Sequence, residues 1–305
     1  YNGAQITCNG VCDGELTANA GLGTGAITYL WSASANNQTT AIATGICAGV
    51  HTVTATDANM CTISSTVTIT EPTAVTASIA SSVSVTCNGG NDGEATAAAN
   101  GGTGAYNFVW SDGQTTALAP GLATNNYTVT ITDANMCAST ASISITEPTV
   151  VTVTIGAPTN VSCNGGNDGA ATATGMGGIG TITYEWSANA GGQTTATATG
   201  LTAAVYSVTV SDGNMCTATE SVTITEPTAV SVTIAPPTNV SCHGGNNGSA
   251  TATGSGGTGA ITYEWSANAG GQMTATATGL TADIYTVTAT DANMCTAVES
   301  VTITE

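Results

Sequence analysis

One unit of roughly eighty residues is written four times along this chain of 305. Its marker Trp recurs at Trp31, Trp110, Trp186 and Trp265, with gaps of 79, 76 and 79. A Cys opens each unit, at Cys8, Cys87, Cys163 and Cys242, and a second follows 50 or 53 positions later, at Cys61, Cys137, Cys216 and Cys295. Repetition on this scale points to tandem domains with separate cores, each touching mainly its sequence neighbours. It argues against one large core around one catalytic centre. The units span 1–72, 73–148, 149–227 and 228–305.

Within a unit the hydrophobic period is two. Tyr127, Val129 and Ile131 alternate with Thr128, Thr130 and Thr132. Tyr184-Glu185-Trp186 and Tyr263-Glu264-Trp265 put two aromatics on one face and a carboxylate on the other. This is the pattern of half-buried antiparallel strands. Gly-rich punctuation separates them, as in Gly89-Gly90-Asn91-Asp92-Gly93, and no segment reads as a helix. Six to seven short strands per unit predict an all-β chain of two-sheet antiparallel sandwiches. Unit 1 has only seven residues before its first Cys, so its first strand is missing or shortened. Glu-Pro-Thr at 71–73, 147–149 and 226–228 marks the joints. Pro ends one strand there and starts the next segment extended. Joints this short predict a stiff, elongated rod.

Composition narrows the function. There is no Lys or Arg against 19 Asp plus Glu. Nucleic acid and anionic membrane are excluded as partners, because both require cations to neutralise phosphate. Lys–Asn isopeptide cross-links are impossible. No apolar run reaches 18 residues, so direct membrane insertion is not expected. Ten Cys in a chain with so little charge predict disulfides and an oxidising, extracellular setting. The start, Tyr1-Asn2-Gly3-Ala4, does not read as a signal peptide.

The Tyr-x-Trp strand followed by Tyr-x-Val-x-Val/Ile-x-Asp resembles an immunoglobulin-like or PKD-like sandwich, with His51 standing for Tyr127, Tyr206 and Tyr285 in unit 1. A closer resemblance is carried by Cys163-Asn164-Gly165-Gly166-Asn167-Asp168-Gly169, Tyr184-Glu185-Trp186-Ser187, residues 192–201, Tyr206 to Asp212 and Val222 to Pro227. With their counterparts in the other units, these resemble the SprB repeat of bacterial surface adhesins. The chain departs from that pattern at Met60, Met136, Met215 and Met294, where the family usually has Gly, and at Cys8-Asn9-Gly10-Val11-Cys12. The resemblance implies a surface rod without catalysis, and it names no ligand.

All ten Cys are expected to be oxidised. Each unit carries its own complete pair, which favours Cys8–Cys61, Cys87–Cys137, Cys163–Cys216 and Cys242–Cys295, each closing a loop worth roughly 4 kcal/mol in the chain-entropy model. Cys12 and Cys47 occur only in unit 1 and form a natural fifth pair. One geometric difficulty keeps an alternative open. In a simple immunoglobulin-like path the two Cys loops of a unit lie at opposite ends. Either the first segment runs differently here, or the bridges join neighbouring units, for example Cys8 with Cys137. No Cys/His cluster suggests a metal site.

Calcium is the one cofactor with candidates. Asp57, Asp133, Asp212 and Asp291 each sit in a turn, Asn91-Asp92 and Asn167-Asp168 sit in another, and Glu71, Glu147 and Glu226 lie at the joints. One carboxylate per turn is few for an ion that wants six to eight oxygens, and Asn247 replaces Asp168 in unit 4. Asp and Asn closing tight turns on their own backbone explains them more simply, so no cofactor is expected. His51 and His243 occupy non-equivalent positions, which argues against a general base. The four Trp read as core before they read as sugar platforms. Sequons at Asn37, Asn126, Asn160, Asn239 and Asn247 are expected by chance in a Thr-rich chain.

Three functions survive: the stalk of a surface adhesin, the subunit of an extracellular filament, and a glycan-binding or calcium-dependent adhesive array. The shortened start of unit 1 fits a window cut from a longer array as well as a sandwich edge that another copy completes, so self-association through strand completion and surface glycans are the candidate partnerships.

Overall fold

The computed structural model describes residues 5–305. The segment Tyr1 to Ala4, examined above for a signal peptide, lies outside the described residues. The chain divides into two compact units, Tyr1–Pro148 and Thr149–Glu305. All sheets are antiparallel, and each compact unit holds two repeats, each built as a pair of small sheets.

In the second compact unit, the third repeat forms β12 (Thr152–Ile155), β13 (Gly169–Met176), β14 (Thr183–Trp186), β15 (Thr197–Leu201), β16 (Ala204–Ser211) and β17 (Thr217–Ile224). One sheet has the order β12-β13-β15 and the other β14-β16-β17. The fourth repeat copies this with β18 (Ser231–Ile234), β19 (Gly248–Ser255), β20 (Thr262–Trp265), β21 (Thr276–Leu280), β22 (Asp283–Thr290) and β23 (Thr296–Ile303). Period-two patterning decides the faces. Tyr206, Val208 and Val210 of β16 are buried, while Ser207, Thr209 and Ser211 are not. Small residues from one sheet, Ala171 and Ala173, share a core with Trp186 of the other. Narrow Ala positions leave room for the indole, so large and small alternate across the layer.

In the first compact unit, the second repeat comprises β6 (Thr76–Val83), β7 (Gly93–Asn100), β8 (Asn107–Trp110), β9 (Leu118–Leu122), β10 (Asn125–Thr132) and β11 (Ala138–Ile145), in the sheets β6-β7-β9 and β8-β10-β11. The first repeat has five strands among the described residues: β1 (Gly14–Thr17), β2 (Thr28–Trp31), β3 (Ile42–Ile46), β4 (Gly49–Thr56) and β5 (Thr62–Ile69). Its β1 pairs only with β3. A groove of about 510 Å3 in repeat 1 is lined in part by Ala18, Tyr29, Val53, Ala55 and Ile63.

The sequence showed no helix, yet three single turns of 3-10 helix occur at Ala33–Ala35, Ala188–Ala190 and Ala267–Ala269. Each follows its Trp strand and buries one Ala under it. Three residues carry no helical period, which is why the pattern is silent there.

All four Trp are buried, and each indole Nε1 donates to a Thr carbonyl: Thr40, Thr116, Thr195 and Thr274, at 2.9–3.0 Å. The Tyr hydroxyls of Tyr127, Tyr206 and Tyr285 donate four residues back, to Ala123, Thr202 and Thr281. His51 keeps that bond in repeat 1, with Nε2 3.0 Å from the Cys47 carbonyl, while its buried Nδ1 has no partner. The exposed large hydrophobics among the described residues are aliphatic or Met, while Tyr29, Tyr106, Tyr184 and Tyr263 are half-buried.

Candidate functional site: the joint between repeats

The first-Cys loop of each repeat, singled out by the sequence, meets the Glu that ends the same repeat. The loop that opens a repeat folds back onto the Glu that closes it. Gly10 N–H donates to Glu71 Oε2 at 2.6 Å, Gly89 to Glu147 at 2.6 Å, Gly165 to Glu226 at 2.6 Å and Gly244 to Glu305 at 2.9 Å. The adjacent Asn side chain clamps the Pro carbonyl: Asn9 to Pro72, Asn88 to Pro148 and Asn164 to Pro227. In repeat 4 His243 replaces that Asn, and its Nδ1 lies 2.7 Å from Glu305 Oε1. Charge-assisted N–H···carboxylate bonds are the stronger kind, so the joint Glu fixes where the first Cys sits. The clamp joins residues about sixty apart with no local pattern, and sequence reasoning missed it.

The Asp that follows the first Cys closes the same loop. Asp13, Asp92 and Asp168 accept the N–H of Thr7, Thr86 and Ser162 at 3.0–3.1 Å. Their carboxyls are held below the ordinary Asp value, first by the hydroxyls of those Thr and Ser residues and then by their amides. Asn247 Oδ1 accepts Ser241 N–H at 3.1 Å in repeat 4. Only an acceptor is needed there, so Asn serves as well as Asp.

On the far side of the joint lies the turn of the second Cys. Asp133 Oδ1 accepts Asn135 and Cys137 N–H at 2.9 Å, and its Oδ2 accepts Thr103 N–H at 2.7 Å. Asp57, Asp212 and Asp291 repeat this with Thr24, Ile179 and Thr258 as the remote donor. Asp133, Asp212 and Asp291 are nearly inaccessible to solvent. The Thr24 and Cys61 amides hold Asp57 below its ordinary value. At Asp133 burial is the largest influence and pulls upward, but three backbone N–H groups outweigh it. At Asp212 and Asp291 the Ile179 and Thr258 amides lead, against burial. Three amides thus occupy most of the acceptor positions of each carboxylate, and no group of three or more metal-type side chains occurs among the described residues.

The Met before each second Cys is a backbone oddity. Met60, Met136, Met215 and Met294 have φ of 66–68° and project into solvent. That left-handed conformation costs an L-residue roughly 1–2 kcal/mol. Nothing in the fold explains Met there.

The disulfides correct the favoured pairing. Cys8 bonds Cys137, with Cα atoms 5.6 Å apart, and Cys163 bonds Cys295, at 5.7 Å. Each joins the first Cys of one repeat to the second Cys of the next, the alternative that the sequence left open. The reason is geometric. The clamp holds Cys8 beside Glu71, while Cys61 lies beyond the eight residues of β5, roughly 26 Å of strand away. A disulfide spans Cα atoms no more than about 7 Å apart. Asn135 Nδ2 adds a bond to Thr7 O, and Asn293 Nδ2 one to Ser162 O, both 3.0 Å. Cys12–Cys47 forms within repeat 1, and Cys87 and Cys216 are also disulfide-bonded. Full oxidation is likewise corrected: Cys61 and Cys242 are exposed free thiols.

Glycine seals the joint. Thr73 O accepts Gly102 N–H at 2.8 Å and Thr228 O accepts Gly257 N–H at 2.9 Å. A Cβ at Gly101, Gly177 or Gly256 would stand 1.9–2.0 Å from the carbonyl oxygen of Ala74, Val150 or Ala229. Repeat 1 has Leu22 at this place, at φ 73° and fully exposed.

Comparison with known proteins agrees with the resemblance noted in the sequence. The SprB repeat model matches residues 79–115, 155–191 and 234–270. Each match runs from the repeat's first strand through the first-Cys loop to just past the Trp strand, so the second-Cys turn lies outside it. No curated protein matches the chain. Among solved structures, the chain is similar to three N-terminal domains of the Hoc capsid protein of bacteriophage RB49, at 18% identity and TM-score 0.35, covering 76% of this chain and 96% of that one. It is also similar to invasin, a bacterial integrin-binding protein, at 12% and 0.30, covering 98% and 77%. Protocadherin Gamma B2 cadherin domains 3-6 align at 10% and 0.25, covering 92% of each chain.

Proposed function

We propose that this chain is a non-catalytic structural repeat protein that works outside the cell, either as the stalk of a bacterial surface adhesin or as a subunit joined end to end in an extracellular filament. The observation that carries this reading is the closed joint. At Glu71–Thr73 and at Glu226–Thr228 a carboxylate clamp and a disulfide hold consecutive repeats together. Stiff joints are what a spacer requires. Disulfides require an oxidising compartment, and the SprB matches belong to a repeat known from surface proteins.

Small-angle scattering on the single chain tests the reading. The expected particle is a thin rod. A compact particle with its repeats folded back on one another would remove both the stalk and the filament.

A further inference from the structure

Asn-Gly pairs stand in the first-Cys loop of three repeats, as Asn9-Gly10, Asn88-Gly89 and Asn164-Gly165, and again at Asn100-Gly101 and Asn247-Gly248. In each pair the Asn is exposed. Such a pair reacts with itself when the Gly nitrogen loses its proton and bonds the Asn Cγ. That step needs a free N–H and a side chain free to turn onto it. Hydrogen bonding therefore sorts the pairs where exposure does not.

Most are locked. Gly10, Gly89 and Gly165 N–H each donate to a joint carboxylate at 2.6 Å. A negative charge there opposes the anion that the nitrogen must become. The amides beside them are turned away, with Nδ2 of Asn9, Asn88 and Asn164 donating to a Pro carbonyl at 3.0–3.2 Å. Asn247 is held at both ends of its amide, Oδ1 by Ser241 N–H and Nδ2 by Ser241 Oγ, and Gly248 is buried. Asn100, at the end of β7, is the exception. Its Oδ1 accepts the N–H of Gly101 at 2.8 Å, so the side-chain carbonyl already lies against the nitrogen that would attack it. Its Nδ2 has no partner among the described residues, so nothing stops the amide turning about Cβ–Cγ. The sister repeats carry Met176 and Ser255 at this place, and neither has an amide to lose.

We propose that Asn100 is a self-modification site, converted with water through a cyclic imide to aspartate and isoaspartate, and that the joint carboxylates hold Asn9, Asn88 and Asn164 back from the same reaction. Gly101 N forms a bond to Asn100 Cγ, the Cγ–Nδ2 bond breaks, and ammonia leaves with the proton from Gly101. Water then opens the imide at either carbonyl. The isoaspartyl product has one more methylene in its backbone. It is inserted directly before the glycine whose Cβ position lies 2.0 Å from Ala74 O. The start of repeat 2 therefore loses its seat as the chain ages.

The test holds the whole chain at mildly alkaline pH in water enriched in heavy oxygen and maps each pair by mass after pepsin. The same chain, reduced and unfolded in urea, supplies the reference rate for each pair. In the folded chain Asn100 is expected to react close to its unfolded rate. Asn9, Asn88 and Asn164 should fall at least about tenfold below theirs, the factor that one charge-assisted hydrogen bond commands. Glu226→Ala should release Asn164 alone, with Asn9 and Asn88 of the same molecule as unmoved controls. Glu226→Gln, which keeps an acceptor and removes the charge, should release it less. Asn100→Ser should end the reaction at that place and keep the melting temperature that the aged wild type loses. Asn100 reacting no faster than Asn88 in the folded chain would overturn the site. An Asn164 rate unchanged in both Glu226 variants would overturn the protection, and an aged wild type that melts like the fresh one would overturn the unseating.

Discussion

At the scale of single residues, the carboxylates of this chain serve the backbone. Asp57, Asp133, Asp212 and Asp291 each accept three N–H groups, two from their own turn and one from a remote loop. Their folded pKa values lie below the unfolded value of about 3.9. As pH falls, the unfolded chain takes up the proton first. The stabilisation is therefore fully present above about pH 4 and is lost as pH drops through the depressed folded values. A second effect opposes it, because acid also discharges a chain with net charge −19. That repulsion is spread over the whole surface and screened beyond roughly 10 Å in 0.1 M salt, so the short carboxylate–amide bonds should win. Melting temperature is expected to hold level from pH 8 to 5 and to fall below pH 4. Asp291→Asn should flatten the acid limb, and a chain more stable at pH 3 than at pH 6 would contradict the assignment.

At the scale of elements, the strands were legible because burial on one face imposes a period of two. The Trp and Tyr positions announced their own core. The pairing of Cys was not legible, because it depends on which end of a sandwich the first loop occupies. That end is set by Glu71, Glu147, Glu226 and Glu305, about sixty residues from the Gly they hold. The turn carboxylates were legible as turn residues, but their remote amide donors were not. The joint also explains a contrast among glycines. Gly177 has φ 83° and Val150 O where a Cβ would go, whereas Gly165 has φ 72° and open space. Gly165→Ala should cost about 1 kcal/mol for the left-handed backbone alone. Gly177→Ala must also push the start of the repeat off its seat and should cost about 3 kcal/mol or more. Equal costs in denaturant titrations would mean that β12 is not held over that glycine.

At the scale of the whole molecule, covalent topology overrides the division into repeats. The bridges Cys8–Cys137 and Cys163–Cys295 close loops of 129 and 132 residues, each worth about 5 kcal/mol in the chain-entropy model. Alkylation of the native, unreduced chain should label two thiols, at Cys61 and Cys242. The double variant Cys163→Ser, Cys295→Ser should lower the melting temperature of its half by roughly 10 °C or more. Labelling of four or more thiols, or an unchanged melt, would remove the cross-joint staple.

The placement of those two bridges has a mechanical consequence. Tension applied to the chain ends passes from Cys8 straight to Cys137 through sulfur, and from Cys163 straight to Cys295. Residues 9–136 and 164–294 lie off that path. A tether of independent sandwiches would surrender its contour length one domain at a time under load. Here most of the polypeptide is withheld from the pull, so the extension reached at high force is set by the short stretches outside the loops, and a single cut within a loop leaves the line unbroken.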